Sequence, residues 1–222
     1  MNIKTIPTAP RKKLKFFTKL AIIGFFIGMS HWAVAQTLPA VTQPIPVTQL
    51  QGFPQYPELI QKIILQAAAL TQLNLTYRFG SADPNLHGMD CSGTIHYLLG
   101  EFNLRNAPRS ANDMYLWAKQ QGKFHTVQSH NLNSSDFSSL KPGDLLFWSG
   151  TYQSGKQNAV THVMLYLGKN KSNQPLMFGA SDGRPYQGKR MWGVSVFDFR
   201  LPPPAAKSRF VGYGCIPNLT CP

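Results

Sequence analysis

The residues best suited to covalent chemistry lie in the stretch from Met89 to Gly93, which reads Met-Asp-Cys-Ser-Gly. Asp90 is a good helix N-cap, and the apolar, periodic residues of a helix begin directly after it. Cys91 would then lie in the first turn, where unpaired amide N–H groups and the helix dipole stabilise a thiolate, the nucleophilic form of cysteine. The pattern predicts a cysteine nucleophile, although a small buried cysteine on a helix would have the same local sequence.

A cysteine nucleophile needs a general base, and His162 is the best placed of the six histidines. It lies in a predicted strand, Thr161 to Tyr166, whose rigid backbone could fix the imidazole; a structural histidine would fit there equally well. His96 lies five residues after Cys91, about 140° around a helix, and cannot easily face the thiol. The other histidines are less suitable because of where they lie: His31 in the N-terminal segment, His87 in a flexible segment, and His125 and His130 in a predicted surface loop.

The elements that must position these side chains are predicted helices followed by predicted strands. The helices begin near Pro57, near Cys91 (to about Phe102) and at Ala111 (to Gln121). The strands are Asp144 to Trp148, Val160 to Leu167, Leu176 to Ala180 and Val194 to Phe199. This order predicts an α+β domain over residues 57–200, with helices packed on an antiparallel sheet. Residues 36–56, rich in Pro, Thr and Gln, are predicted to be an extended linker.

The first 35 residues have the organisation of a secretory signal peptide. Six basic residues and no acidic residue accompany an apolar run from Leu20 to Met29, and an Ala-Val-Ala cleavage site ends at Ala35. The apolar run is shorter than the roughly 18–20 residues that a membrane-spanning helix needs. We therefore predict export to a periplasm or the extracellular space, with no stable membrane insertion after cleavage. An uncleaved anchor is the less favoured alternative.

Removal of the signal peptide would lower the net charge of the protein. The chain has 22 Lys and Arg against nine Asp and Glu, a net charge of +13, but without the six basic residues of the signal segment the net charge is +7. No dense Lys/Arg cluster survives, which argues against nucleic-acid binding and favours anionic polymers outside the cytoplasm. No paired CxxC or HxxxH spacing is present, so neither a metal nor another cofactor is expected. Nothing in the sequence indicates the oligomeric state.

The C-terminal tail, residues 201–222, contains two of the three cysteines and a possible edge strand from Arg209 to Tyr213. Cys215 and Cys221 lie six residues apart. An oxidising compartment would allow them to form a small disulfide. That pairing would leave Cys91 as the free thiol that a nucleophile must be.

Five short motifs extend the pattern around Cys91 and His162. In chain order they are Tyr77-Arg78-Phe79-Gly80, Asp90-Cys91-Ser92-Gly93, Pro108-Arg109-Ser110, Pro142-Gly143-Asp144-Leu145 and His162 to Gly168. Each is weak by itself, but the ordered set, which spans about Tyr77 to Phe199, resembles the NlpC-type family of bacterial cell-wall cysteine peptidases. The resemblance favours catalytic roles for Cys91 and His162.

The resemblance implies a papain-like fold and hydrolysis of peptide bonds in peptidoglycan stem peptides, often between D-glutamate and a diamino acid. Cys91 would attack the carbonyl, while His162 would hold the thiolate as an ion pair and later protonate the leaving amine. Four residues of the motifs would help to bind substrate or stabilise the oxyanion: Tyr77, Asp90, Ser92 and Arg109. Structural roles would give the same sequence: Tyr77 could be a packed ring, Asp90 a helix cap and Arg109 a surface cation.

The sequence departs from the family where a third polar residue usually orients the imidazole. The alignment places Gly179, which has no side chain, at that position. Ser181 and Asp182 lie close by without matching it, and a backbone carbonyl or a water could substitute. The segment Asp182 to Arg190 would follow the strand of that third residue and lie near the cleft, where Arg184 could bind substrate carboxylates. A solvated basic loop is the alternative.

The leading hypothesis is therefore an exported cysteine hydrolase whose partner is peptidoglycan. Gly179 leaves open a non-catalytic peptidoglycan-binding relative of the family. Amidase cleavage between sugar and stem, or acyl transfer, could use the same scaffold. A toxin delivered to competing cells would share the chemistry.

Overall fold

The computed structural model of the protein describes residues 39–221, so the predicted signal peptide over 1–35 lies outside the described residues. Within the described range the helices are α1 (Glu58–Thr71), α2 (Cys91–Gly100) and α3 (Ala111–Gln120). The strands are β1 (Thr76–Tyr77), β2 (Gly88–Met89), β3 (Phe124–Thr126), β4 (Leu145–Ser149), β5 (Val160–Lys169), β6 (Pro175–Tyr186), β7 (Lys189–Asp198) and β8 (Arg209–Gly214). The predicted α+β class is confirmed.

The main sheet is antiparallel throughout and has the strand order β3-β8-β4-β5-β6-β7. Helices α2 and α3 both pack against β5. Residues 160–168 of β5 are all buried, which is typical of a strand covered on both faces. The short strands β1 and β2 pair in parallel in a separate ribbon. The strand that carries His162 is thus paired with β4 and β6 within the sheet and packed against α2 and α3 on one face.

The C-terminal tail is part of this sheet, which corrects the prediction of an edge strand. Strand β8 lies between β3 and β4 and pairs with both. Directly after it, Cys215 and Cys221 form a disulfide with a Cα–Cα distance of 5.1 Å, and Cys91 is free. Strand order depends on pairing between distant segments, which a local pattern does not specify.

The segment predicted to be an extended linker packs on the domain in its described part. Val41 forms an antiparallel bridge with Trp192, and Leu50 forms one with Asn170. Ile45 is 6% exposed, so the segment also contributes to the core. Its apolar side chains are too widely spaced to show periodicity, which is why its packing was not predicted.

The segment from Asp182 to Arg190 was expected to follow a strand ending near Ala180, which is wrong. It is neither outside the strand nor a solvated loop, because it forms the end of a long hairpin between β6 and β7. The two residues at its tip, Gln187 and Gly188, both have positive φ (47° and 79°), as a type I′ hairpin turn requires. The register shifts between Asp182 and Pro185, so one strand carries an extra residue there. Such a bulge changes the direction in which side chains point. Its Gly, Arg and Pro composition hides the strand from sequence patterns.

Within residues 39–221, none of the helices combines the length and the hydropathy that crossing a bilayer would require.

Candidate active site

Cys91 is the first residue of α2 and is 5% exposed. The Asp90 carboxylate caps the helix by accepting a hydrogen bond from the Gly93 N–H at 2.6 Å. A Cβ on Gly93 would lie 2.1 Å from the Ser81 carbonyl oxygen, so this glycine is what allows the helix start to approach that backbone. The Cys91 thiol points to β5, with 3.9 Å between its Sγ and the Thr161 carbonyl oxygen. The sulfur therefore lies against the backbone immediately before His162.

Asp90 joins three segments at the start of α2. Besides capping the helix, its carboxylate accepts a hydrogen bond from the Gly80 N–H at 2.7 Å. Arg109 donates to both of its oxygens, at 3.0 and 2.8 Å, and also to the Ser92 hydroxyl at 3.0 Å. Asp90, Ser92 and Arg109, all predicted to contact substrate or the oxyanion, are thus hydrogen-bonded to one another. These hydrogen bonds connect the residues on either side of Cys91 to Gly80 and Arg109.

His162 lies on β5 opposite Trp148 of β4 and is 6% exposed. The two rings meet edge to face, with centroids 5.7 Å apart. Arg184, at the bulge of β6, donates a hydrogen bond from its Nε to the His162 Nε2 at 3.2 Å. Its guanidinium also lies over the Trp148 ring, 4.3 Å from the centroid. Arg184 therefore contacts the predicted base directly.

The electrostatics of the pair favour a neutral thiol beside a neutral imidazole. Burial raises the pKa of Cys91 to about 11, and the negative charge of Asp90 adds to the effect, although the N–H of Val163 and the cation of Arg109 act against it. Burial also lowers the pKa of His162 well below its usual value near 6.5, and the cation of Arg184 lowers it further. Both directions oppose the ion pair that the resemblance implies.

The reactivity of Cys91 should therefore depend strongly on pH. Iodoacetamide reacts with the thiolate, so we expect alkylation of the folded protein at pH 7 to be on the order of 100-fold slower than that of an unburied cysteine, and to accelerate up to at least pH 9. Mass spectrometry of intact protein quenched at intervals measures the rate. The unfolded, unreduced chain is the matched control because Cys91 is then an ordinary thiol. A fast rate that is constant from pH 5 to 8 would indicate a preformed thiolate and contradict the expectation.

Two cavities meet at an aromatic wall, which we define as Tyr77, Phe79 and Tyr152. The smaller cavity, of about 280 Å³, is lined by Cys91 and the Asp90–Arg109 pair. The larger, of about 840 Å³, is lined by His162 and Arg184. The Phe79 and Tyr152 rings meet edge to face at 5.7 Å and are 71% and 45% exposed. An extended substrate could pass along this wall and reach both Cys91 and His162.

Tyr77 is suited to donating a hydrogen bond within these cavities. Burial raises the pKa of its phenol, and the neighbouring acidic groups of Cys91, Asp90 and Asp182 raise it further. The phenol therefore keeps its proton at physiological pH.

The position expected for a third polar residue is closed to any side chain. A Cβ on Gly179 would lie 2.3 Å from the Met164 Sδ. Ser181 is 3% exposed, and its hydroxyl accepts a hydrogen bond from the Arg184 N–H at 3.4 Å. Asp182 is exposed in the larger cavity. Among residues 39–221, the side chain hydrogen-bonded to the imidazole is that of Arg184.

Sequence reasoning proposed Arg184 as a substrate ligand and missed its bond to His162. The two residues are 22 positions apart, and the bulge that directs Arg184 has no local signature. Trp148 was also missed, although its predicted strand is the one directly before that of His162 in the sequence, and consecutive strands often pair. Tyr152 lies on the loop between β4 and β5, where nothing in the sequence marks it.

The other described histidines lie outside this arrangement. His96 Nδ1 is 2.9 Å from the Ala107 carbonyl oxygen. His125, predicted to be in a loop, is instead on strand β3, where its exposed ring stacks on Tyr213 at 4.9 Å. In the part of the chain that the structure describes, no three His, Cys, Asp or Glu side chains are grouped as metal ligands would be.

Comparison with known proteins identifies the same region. The model of the NlpC/P60 family matches residues 74–182, which include Cys91 and His162 but end before Arg184. The murein DD-endopeptidase MepH of Escherichia coli (strain K12) is 29% identical over 102 residues, 46% of this chain and 31% of that protein. The gamma-DL-glutamyl hydrolase of Bacillus subtilis (strain 168) is 28% identical over 130 residues, 57% of this chain and 27% of that protein. The chain thus spans less than a third of the length of these relatives.

Proposed function

Since this chain belongs to the NlpC/P60 family through residues 74–182, we propose that it is an exported cysteine hydrolase that cleaves peptide bonds in peptidoglycan stem peptides. The observation that carries the proposal is the position of the Cys91 thiol, which lies at the N-terminus of α2 and contacts the β5 backbone next to His162. A nucleophile with an adjacent base is the arrangement that covalent hydrolysis needs. The position of the helix start beside the strand supports the proposed papain-like site.

In the proposed reaction the Cys91 thiol gives its proton to His162 as the sulfur attacks the scissile carbonyl. The Cys91 N–H and the Tyr77 hydroxyl are the donors proposed for the oxyanion. His162 then protonates the leaving amine, and water hydrolyses the acyl-enzyme with the same histidine as base. Both pKa shifts favour the neutral pair in the free protein, so the proposed reaction starts from the thiol and the neutral imidazole.

We further propose that the bond cleaved joins D-glutamate to a diamino acid. The names of the two relatives indicate different bonds, since one is a DD-endopeptidase of murein and the other a gamma-DL-glutamyl hydrolase. The larger cavity supports the glutamyl bond, because Arg184 and Lys207 line it and could bind the carboxylates of a stem peptide.

Digestion of purified sacculi tests the function and the bond together. We expect the purified protein to release muropeptides whose masses show a new D-glutamate carboxyl end and a free diamino-acid amine. An amidase would instead separate whole stems from the sugar, and an acyltransferase would join an added amine to the stem. Release of no muropeptide by the wild-type protein would contradict the proposal.

N-terminal sequencing of the exported form, expected to start at Gln36, tests the proposed signal peptide.

A non-catalytic peptidoglycan-binding protein is the second candidate. It is favoured by Gly179, where Met164 leaves no room for an orienting side chain, and by the cation bonded to His162. This candidate predicts that the protein sediments with sacculi without releasing muropeptides, and that a Cys91→Ala variant behaves like the wild type.

A further inference from the structure

The bond between Arg184 and His162 is incompatible with proton transfer from Cys91. A neutral imidazole has one N–H and one basic lone pair. The Arg184 Nε–H donates to Nε2 at 3.2 Å, so this lone pair is engaged and Nδ1 carries the ring proton. While the guanidinium stays in place, His162 has no lone pair with which to accept the thiol proton. The structure therefore shows the base in a masked state.

Arg184 is a cation held at this site by several contacts. Burial lowers its pKa to about 10, while Cys91 and Asp182 act in the opposite direction, so the guanidinium is charged at neutral pH. It lies on the Trp148 ring, and the bulge of β6, with the Arg184 N–H bonded to Ser181, sets its direction. Arg184 is half-buried and also lines the larger cavity.

The surroundings of His162 leave Arg184 as the charged group in direct contact with its ring. The other titratable groups around the site come from each neighbouring element. The acidic groups are Cys91 of α2 with its cap Asp90, Tyr77 of β1, Tyr152 of the β4–β5 loop and Asp182 of β6; the cations are Arg109, Arg190 of β7, Arg200 and Lys207. None of these accepts a hydrogen bond from His162 in the described structure, whereas Arg184 donates one to it. The low pKa of His162 and the high pKa of Cys91 agree with a resting state of low reactivity.

We propose that Arg184 is a specificity-determining latch, which masks His162 in the free protein and is drawn off Nε2 by a carboxylate of the substrate in the larger cavity. A carboxylate binds a guanidinium through two charge-assisted hydrogen bonds, which are stronger than one bond to a neutral imidazole. Once Arg184 has moved away, Nε2 can accept the thiol proton directly. Alternatively, exchange with water moves the ring proton from Nδ1 to Nε2, and Nδ1 then accepts the thiol proton. The imidazolium then gives that proton to the leaving amine. The catalytic half of this inference rests on the proposed function, whereas the masking of His162 does not.

The masking is tested by long-range ¹H–¹⁵N NMR of histidine in the purified, ¹⁵N-histidine-labelled protein, with His162→Gln to assign the signal. In the free wild-type protein we expect His162 to be the Nδ1–H tautomer, and its ring to remain neutral as the pH is lowered below 6. Added glutarate should release Nε2 and raise the pKa of His162 by about one unit, a tenfold change in protonation. Glutaramide, which has no charge, should have no effect.

Two variants separate the latch from a general loss of charge. Arg184→Met keeps an apolar stem over Trp148, and it should raise the pKa of His162 by about one unit and abolish the response to glutarate. Arg190→Met removes one charge from the lining of the same cavity and should keep the wild-type tautomer and response. An Nε2–H tautomer in the free wild-type protein would overturn the proposal without any variant. An unchanged pKa in a folded Arg184→Met protein would also overturn it.

Kinetics on stem peptides separates a latch from a simple substrate ligand. With a free carboxylate on the peptide the wild-type protein should be at least tenfold faster than with the corresponding amide. In Arg184→Met the kcat for the amide should rise and the preference should disappear. A higher KM for the carboxylate substrate with an unchanged kcat for the amide would show a ligand only, and would overturn the latch. If no peptide is cleaved at all, the proposed function fails, and the NMR result still decides the masking.

Discussion

Replacing Cys91 by alanine should reduce the release of muropeptides from sacculi on the order of 10⁵-fold or more, to the background of the assay. The reason is that the thiol is the proposed covalent nucleophile, so its removal leaves only substrate positioning and the oxyanion donors. Cys91 is 5% exposed and free, and no other free thiol is present to replace it, since Cys215 and Cys221 are joined in the disulfide. Chromatography of the soluble muropeptides, with mass detection, measures the loss.

Two controls make this loss interpretable. The Cys91→Ala protein should unfold at a temperature close to that of the wild type, because only a small group is lost from the first turn of α2. His162→Ala should cost nearly as much activity as Cys91→Ala, and the double variant no more than either, since the two side chains act as one unit. If Cys91→Ala releases muropeptides as fast as the wild type, the protein is not a cysteine hydrolase.

Replacing Asp90 by alanine should lower the free energy of unfolding by about 3 kcal/mol or more. The buried carboxylate holds four partners, namely the Gly93 and Gly80 N–H groups, the Ser92 hydroxyl and the Arg109 guanidinium. Alanine removes the helix cap, leaves the Gly80 N–H without its acceptor and breaks the ion pair. Urea denaturation followed by circular dichroism measures the change, provided that the two proteins have equal denaturant slopes.

Two substitutions isolate the contributions to this effect. Ser110→Ala removes the side chain that caps α3 through the Asp113 N–H, and should cost only about 1 kcal/mol, the usual value for a helix cap. Asp90→Asn keeps an oxygen to cap α2 but loses the charge that Arg109 contacts, so its cost should lie between the two. Equal losses for Asp90→Ala and Ser110→Ala would mean that Asp90 acts as a cap alone, and that the bridge to Arg109 contributes nothing.

The resting state of the site connects the electrostatics with the proposed reaction. The thiol is protonated, the imidazole is neutral, and the lone pair of the imidazole is engaged by a cation. A protein secreted with a fully active thiolate would be exposed to oxidation and to side reactions outside the cell. A site that gains its base only when an anionic substrate enters the cavity would avoid both. This interpretation follows from the proposed latch and is tested with it.

The helical half of the fold could be predicted because its signals are local. Asp90 and Ser110 are N-caps, and each is followed by the apolar spacing of a helix, so α2 and α3 begin where predicted. Strand β5 was predicted because the segment from Val160 to Leu167 is rich in β-branched and aromatic residues. The motif glycine Gly93 was also readable as part of the pattern, although only the structure shows the Ser81 carbonyl that excludes a side chain there.

Features that depend on distant pairing could not be predicted in the same way. The position of β8 inside the sheet, the packing of the segment before α1, and the extension of β6 through Arg184 all arise from contacts between residues far apart in sequence. Polar residues at such positions look like loops, because a local pattern shows composition and spacing but not the partner that satisfies the backbone. The exclusion of a side chain at Gly179 similarly depends on Met164 of the neighbouring strand.

The sequence by itself determined the candidate chemistry: a cysteine at a capped helix start, a histidine on a buried strand, and the ordered motifs that resemble one family. Only the tertiary structure decided the protonation states of Cys91 and His162 and the contacts of the imidazole. Burial sets the directions in which the pKa values of Cys91 and His162 move, and a bulge brings Arg184 onto Nε2. The physical reason is that side-chain identity and local spacing are written along the chain, whereas desolvation and charge contacts depend on which surfaces the fold brings together.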